Sequence, residues 1–340
     1  MNCIAPETIL TERNGEACGS RPAAHPVTLG VGPAGERDWR SSHCWRDPLS
    51  QICSDTSSGA ASWRRLARGN LPGVADLRTA LQDALGPTYR VEREVRPVGT
   101  CRMFVALEAA GGPALLVKVL PGELSLALDT ALLERELQML AERLSAPPLV
   151  PPRGSGRAGA LVYHSRAFVE GTTLRAWLTR NGELPLRRAV EILRDVLSAL
   201  AHAHAAHIAH GDLKPENVLL TEGHALVADT GIVGAVERSL PRGTPGAVTG
   251  ALCATTYVAP ERRAPGGKNG AATATPADDM FAVGVLVHEM LTGRPPAPES
   301  EPLEEVRSVP PWLAELERRC LAPDPASRWP DGGAALAAMS

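Results

Sequence analysis

The residues best able to do chemistry lie in one short stretch, from His210 to Asn217, which reads His-Gly-Asp-Leu-Lys-Pro-Glu-Asn. A carboxylate (Asp212), an amine (Lys214) and a carboxamide (Asn217) therefore share one segment, and a second carboxylate (Asp229) follows twelve residues after Asn217. Phosphoryl transfer from a nucleotide–metal complex needs such a set: a base that orients a hydroxyl, a cation for the moving phosphate, and oxygen ligands for magnesium. The spacing therefore predicts a site for phosphoryl transfer.

This stretch resembles the catalytic loop of protein kinases, and Asp229-Thr230-Gly231 resembles their metal-binding loop. The resemblance implies that Asp212 is the catalytic base and that Lys214 contacts the γ-phosphate of ATP. It also implies that Asn217 and Asp229 bind Mg²⁺. A lysine at position 214 is typical of the serine/threonine branch. The alternative is that His-Gly-Asp forms an ordinary turn, and the Lys-Pro-Glu-Asn that follows argues against it.

Lys118 is a single charge within the apolar run 115–120. A buried ammonium is costly unless it is paired, so this strand needs a carboxylate partner or an exposed edge. The resemblance supplies the partner from the following helix: Glu136, with Glu134 as a neighbouring candidate. It also implies that Lys118 bridges to the nucleotide phosphates. A lysine on a solvated strand face remains the alternative.

Three further motifs occur in the order that the resemblance requires. Ala-Pro-Glu at 259–261 resembles the end of the activation segment, and Arg328 resembles the distant arginine that pairs with its glutamate. Asp279 resembles the buried aspartate that ties the catalytic loop to the large lobe. The histidines at 202, 204, 207 and 210 suggest a metal cluster, but a structural role in the helix before the catalytic loop is the better interpretation.

The helices and strands that must position these residues are predicted to form two lobes. This α+β arrangement resembles the bilobal protein kinase fold. Residues 1–72 lack sustained periodicity and are expected to be disordered, or a spurious extension. Residues 73–170 predict a leucine-rich helix and a small β-rich lobe that includes the helix 131–144. Residues 171–340 predict a larger, mainly helical lobe, with the catalytic and activation segments as loops.

The nucleotide pocket departs from the family pattern. Aligning the strand that contains Met103 puts Arg96, Val98 and Cys101 at the three positions of the glycine-rich loop. Glycines serve there because bare amides approach phosphates closely, so side chains should weaken that contact. The resemblance nevertheless implies nucleotide contacts at Val98 and at Val169, which lies in the hinge Phe-Val-Glu-Gly at 168–171.

Four more departures surround the site. Leu116 stands where the family has an alanine over the adenine, and Arg166 takes the position at the back of the pocket. A charge there needs a partner. We expect Glu136 to be that partner, with Arg166 and Lys118 in competition for it. Gly211 and Thr230 replace an arginine and a phenylalanine, so activation by phosphorylation and packing against the helix of Glu136 should both be weakened.

Bulk properties limit the remaining possibilities. The net charge is −3, so no broad basic surface suggests nucleic acid as a partner. No apolar run in the second half is long enough to span a bilayer, no leader pattern begins the chain, and seven scattered cysteines favour a reducing, cytoplasmic location. The resemblance implies ATP and Mg²⁺ as cofactors and a protein substrate or partner.

Three functions fit the sequence. A serine/threonine protein kinase explains the intact transfer residues. A pseudokinase that acts as a binding or scaffold module explains the altered pocket. A small-molecule phosphotransferase would also carry His-Gly-Asp, but the pair formed by Glu261 and Arg328 counts against it because that pair builds a platform for peptide substrates.

Overall fold

The computed structural model describes residues 74–98, 101–241, 247–263, 273–297 and 302–339. Residues 1–72, and the predictions made for them, lie outside this part. The described chain begins with helix α1 (Val74–Leu85), which buries Leu77 and Leu81 against strands of the neighbouring sheet. These leucines are four residues apart and share one helix face. The helix ends at Gly86, whose φ of 64° lies in the left-handed region that glycine adopts readily.

The N-terminal part is built on an antiparallel sheet of five strands in the order β1-β2-β3-β6-β5. Their bounds are β1 (Tyr89–Val98), β2 (Cys101–Glu108), β3 (Leu115–Val119), β5 (Pro152–Ala158) and β6 (Leu161–Ala167). Between β3 and β5 lie two helices and a short strand: α2 (Gly122–Ala127), α3 (Thr130–Arg143) and β4 (Leu149–Val150). The strands and α3 confirm the predicted β-rich lobe.

The C-terminal part is mainly helical around a small sheet, ordered β4-β9-β8-β7. The strands are β7 (Thr172–Thr173), β8 (Val218–Leu220) and β9 (Ala225–Ala228). The helices are α4 (Leu174–Asn181), α5 (Leu186–Ala205), α6 (Ile232–Arg238), α7 (Ala247–Leu252), α8 (Pro260–Arg263), α9 (Pro276–Thr292), α10 (Leu303–Val306), α11 (Pro311–Cys320) and α12 (Gly332–Ala337). This arrangement confirms the predicted bilobal α+β architecture.

The centre of the helical part is α9, which is buried on almost every side. The Thr275 hydroxyl oxygen accepts the backbone N–H of Asp278, and the Asp278 carboxylate accepts the backbone N–H of Thr275, so two amides at the helix start are satisfied. The main hydrophobic core surrounds α9 and α5. Within the described part of the chain, no helix is both long and apolar enough to cross a membrane.

Two elements differ from the sequence-based expectation. Strand β5, with the sequence Pro-Arg-Gly-Ser-Gly-Arg-Ala, was not predicted because its residues have low β propensity, and pairing with β6 imposes the extended conformation. Helix α6 occupies a segment that was expected to be a loop. Its apolar residues, including Ile232, Val233 and Val236, are buried in the large core. This packing supplies the stability that the local helix propensity does not.

Candidate active site

Helix α9 fixes the start of the catalytic segment through one buried carboxylate. Asp279 Oδ2 accepts the backbone N–H of His210 at 2.6 Å, and Oδ1 accepts that of Gly211 at 2.9 Å. Gly211 has a φ of 80°, a conformation that suits glycine and strains other residues. The predicted tie between Asp279 and the catalytic loop is therefore confirmed.

His204, in the helix before this segment, has a structural role. His204 Nδ1 accepts the N–H of Gly332 at 3.0 Å, so the proton sits on Nε2, which donates to Asp279 Oδ2 at 2.9 Å. Burial would raise the pKa of Asp279, but His204 and the backbone donors outweigh it and lower that pKa. These contacts give His204 a structural role, and no cluster of potential metal ligands occurs among the described residues.

Three of the predicted transfer residues lie close together just after His210 and Gly211. Lys214 Nζ lies 2.6 Å from Asp212 Oδ2. Asn217 Nδ2 donates to the backbone oxygen of Asp212 at 2.8 Å and to its Oδ2 at 3.3 Å. All three residues are buried. The geometry therefore holds the proposed base in one orientation, beside a cation.

The fourth transfer residue, Asp229, lies between two cations. Lys118 Nζ is 3.0 Å from its Oδ2, and Arg166 Nε is 3.5 Å from its Oδ1. Burial alone would raise the pKa of Asp229, but the charges of Lys118 and Arg166 outweigh it and hold that pKa far below its ordinary range. Burial likewise opposes the charge of Lys118, yet Asp229 raises the pKa of Lys118 above its usual value.

Glu136 is not brought to Lys118, so the expected ion pair is absent from this structure. Glu136 Oε2 instead lies 2.7 Å from Arg238 Nε, on the unpredicted helix α6. Lys118 has Asp229 as its partner, and Arg166 is also paired with Asp229 rather than with Glu136. The prediction that Arg166 is buried with a carboxylate is confirmed, while the predicted identity of that carboxylate was wrong.

A cavity of about 330 Å³ opens between the sheet and the catalytic segment. Met103, Leu116 and the hinge residue Val169 line its apolar walls, as the sequence predicted for Leu116 and Val169. The side chains of Val98 and Arg96, and residues 99–100, lie outside the part of the chain that the structure describes. The charged lining comprises four cations and three carboxylates: Arg93, Lys118, Arg166, Lys214, Glu170, Glu216 and Asp229.

The activation segment closes the other side of the transfer residues. A second cavity, of only about 20 Å³, is bounded by Lys118, Asp212 and Asp229, and by Ile232, Val233 and Leu252 of helices α6 and α7. Lys214 also donates to the backbone oxygen of Leu252 at 3.3 Å. Helices α6 and α7 therefore leave only a small space beside Asp212 in this structure, an arrangement that we call the closed state.

The predicted pair between the activation segment and the distant arginine is confirmed. Arg328 Nη1 and Nη2 lie 2.8 and 2.9 Å from Glu261 Oε1 and Oε2. The side chain of Arg328 is fully buried, and it also donates to the backbone oxygens of Ala277, Ala322 and Pro323. This bidentate pair fixes the end of the segment on the helical core.

Arg175 was missed by the sequence analysis. From α4 it contacts Glu216 of the catalytic segment at 2.9 Å, the hydroxyl of Tyr257 at 2.6 Å, and Glu289 of α9. Tyr257 also donates to Glu289. The available signal was Glu216 itself, because a partly buried carboxylate beside Asp212 and Lys214 favours a cation as its partner.

Comparisons with known proteins agree with this geometry. Residues 102–330 match the family model described as "Protein kinase domain". The chain is 32% identical over 289 residues to serine/threonine-protein kinase PknL of Mycobacterium tuberculosis, a match that covers 78% of this chain and 69% of PknL. It is 31% identical over 212 residues to PrkC of Bacillus subtilis, covering 61% of this chain and 31% of PrkC.

Solved structures support the same fold. The PknI kinase domain of Mycobacterium tuberculosis superposes with a TM-score of 0.55 at 23% identity, over 74% of this chain and 95% of PknI. Rad53 1–466 in complex with AMP-PNP gives a TM-score of 0.58 at 22% identity, over 76% of this chain and 66% of that one. The chain therefore belongs to the protein kinase family, among relatives named serine/threonine-protein kinases.

Proposed function

We propose that this serine/threonine protein kinase transfers the γ-phosphate of ATP to a protein hydroxyl through Asp212 and Lys214. The observation that carries the proposal is their grouping with Asn217: the buried side chains of Lys214 and Asn217 both lie within hydrogen-bonding distance of the Asp212 carboxylate. Lys214 and Asn217 line the nucleotide-sized cavity, and Asp212 lines the small cavity beside it. In this scheme Asp212 orients the hydroxyl and accepts its proton, while Lys214 balances charge on the transferred phosphate.

The cavity supports ATP as the donor. Its lining carries one more cation than carboxylates, which favours a polyanionic ligand, and Lys118 lies at its inner end. The structural relative Rad53 was solved with AMP-PNP, an ATP analogue. Val169 and Met103 would contact the base, and Lys118 the phosphates.

Magnesium fits the donor set, because Asn217 offers a carboxamide oxygen and Asp229 a carboxylate. When bound, the metal would neutralise charge on the transferred phosphate. Asp229 is held by Lys118 and Arg166 in the closed state, so those contacts must loosen for the metal to bind. Glu136 would replace Asp229 as the partner of Lys118 once Arg238 releases it.

A protein is the proposed acceptor because the pair of Glu261 and Arg328 anchors the segment that would support a peptide. A cytoplasmic location and the lack of a nucleic-acid partner remain predictions from the sequence.

One experiment tests the proposal. Magnesium-dependent ATP binding is followed by thermal shift, and phosphate incorporation into the kinase itself and into casein is measured for the wild type, Asp212→Ala and Lys118→Met. We expect incorporation that disappears in Asp212→Ala, while ATP binding persists in that variant and weakens in Lys118→Met. If ATP produces no thermal shift and no phosphate is incorporated, the chain is a pseudokinase and the proposal fails. Transfer to a small alcohol without protein labelling would favour a small-molecule phosphotransferase.

A further inference from the structure

Arg166 is a cation placed at the inner end of the nucleotide cavity. It lies opposite Leu116 in the pairing of β6 with β3, and Lys118 lies opposite His164 two residues further along. Because side chains two residues apart in a strand share a face, Arg166 and Lys118 point to the same side of the sheet. Asp229 meets them there, with one cation on each carboxylate oxygen.

The contact between Arg166 and Asp229 is long and loosely directed. Arg166 Nε is buried and lies 3.5 Å from Asp229 Oδ1. Within the described residues this nitrogen has no hydrogen-bond acceptor in good geometry. Nη1 donates to the backbone oxygen of Ala167 at 3.1 Å, which anchors the guanidinium at the end of β6. Arg166 is thus a charge fixed in place beside the carboxylate, with a weak bond that a stronger cation can displace.

The local charges make Asp229 a poor metal ligand in this state. Lys118 and Arg166 contribute two positive charges against the single negative charge of Asp229. A divalent ion that approaches Asp229 therefore meets net positive charge, and it must displace the guanidinium from Oδ1.

We propose that Arg166 is an internal cation that competes with Mg²⁺ for Asp229 and thereby sets the metal requirement of nucleotide binding. The inference rests on the proposed function, in which Asp229 is a metal ligand. Removal of the guanidinium would leave Asp229 and Lys118 as a neutral pair, with Oδ1 available to the metal. Arg166 is in this sense a specificity-determining residue for the metal–nucleotide complex.

The test measures binding rather than catalysis. The affinity for ADP is determined by calorimetry across a series of Mg²⁺ concentrations, and in EDTA, for the wild type, Arg166→Met and Arg166→Lys. Methionine keeps length without charge, and lysine keeps the charge as a matched control. We expect the half-saturating Mg²⁺ concentration to fall at least tenfold in Arg166→Met, equivalent to about 1.4 kcal/mol, and to stay close to wild type in Arg166→Lys.

The outcomes separate this inference from the function on which it rests. Equal magnesium responses in the wild type and Arg166→Met overturn the role of Arg166 and leave the proposed function intact. If Mg²⁺ increases the affinity for ADP only in Arg166→Met, the result supports competition between Arg166 and Mg²⁺ in its strongest form. If no protein binds ADP at any magnesium concentration, the proposed function fails and the inference fails with it.

Two controls keep the result interpretable. Asp229→Asn is combined with arginine and with methionine at position 166, and these two proteins should have the same half-saturating Mg²⁺ concentration. If they still differ, the effect of Arg166 does not act through Asp229, and the inference is overturned. Melting curves without ligand establish that each variant is folded. Arg166→Gln provides a second uncharged variant with the same expected tenfold change.

Discussion

Replacing Asp279 by asparagine removes one charge from the junction between α9 and the catalytic segment while keeping the shape of the side chain. Asp279 accepts three hydrogen bonds, from the backbone of His210 and Gly211 and from Nε2 of His204. Asparagine has one acceptor oxygen. In its better orientation that oxygen faces His210 and His204, and its NH₂ group then faces the N–H of Gly211, a donor against a donor.

The expected cost follows from those contacts. One charge-assisted bond is lost with its donor left buried, and the other two become bonds to a neutral acceptor. With about 1.5–3 kcal/mol for a bond to a charged group, and about half of that for a neutral one, the free energy of unfolding should fall by about 3–6 kcal/mol. Activity should fall as well, because Gly211 directly precedes Asp212.

Urea unfolding followed by tryptophan fluorescence measures this change. Asp278→Asn is the matched control: both contacts of Asp278 to Thr275 use Oδ2, which the asparagine oxygen can replace, so we expect a change below about 1 kcal/mol. A similar unfolding midpoint for Asp279→Asn and the wild type would refute the reasoning.

The same variant gives a pH signature. The pKa of Asp279 is lowered in the folded state, so its stabilisation is complete above the unfolded pKa of about 4 and is lost as the pH falls through the lower, folded value. The difference in unfolding free energy between the wild type and Asp279→Asn should therefore be constant near neutral pH and shrink in acid. A difference that grows on acidification would contradict this assignment.

Three further variants test other contacts. Thr230→Val should raise the free energy of unfolding by about 1 kcal/mol, because the Thr230 hydroxyl is buried without a hydrogen-bond partner among the described residues; a loss in urea unfolding would contradict this. Arg238→Ala should increase the initial rate of autophosphorylation several-fold by releasing Glu136, at a cost below about 1 kcal/mol in stability, and a slower rate would contradict it. Arg328→Met should lower the unfolding free energy by about 3–5 kcal/mol, since it leaves Glu261 without its buried cation; a change under 1 kcal/mol would contradict that.

The sequence was informative wherever spacing along the chain determines the contact. Asp212, Lys214 and Asn217 lie within six residues, so one loop brings them together whatever surrounds it. The distant pair of Glu261 and Arg328 was also predictable, because both belong to motifs whose order and residue types match one family. The spacing of the histidines favoured a helix over a metal site, and the contacts of His204 with Asp279 and Gly332 are structural.

Contacts that depend on the state of the activation segment were not predictable. The partner of Glu136 depends on whether α6 forms, and α6 forms because its apolar residues are buried by the core rather than because of local propensity. The partner of Arg166 also follows from the tertiary structure, since Glu136 pairs with Arg238 and Asp229 is the carboxylate that lies beside Arg166. A sequence pattern identifies the charges, and the tertiary structure chooses among their possible pairs.

The position of Arg166 has a consequence for chemical probes of this kinase. A competitive inhibitor that extends an apolar ring past Leu116 would have to desolvate a guanidinium and an ammonium at the inner end of the cavity. An inhibitor that carries a carboxylate or tetrazole at that end would gain a charge-assisted contact instead. The acidic group would then make the inhibitor bind this kinase more tightly than kinases with an apolar residue in this position. That preference would be lost in Arg166→Met.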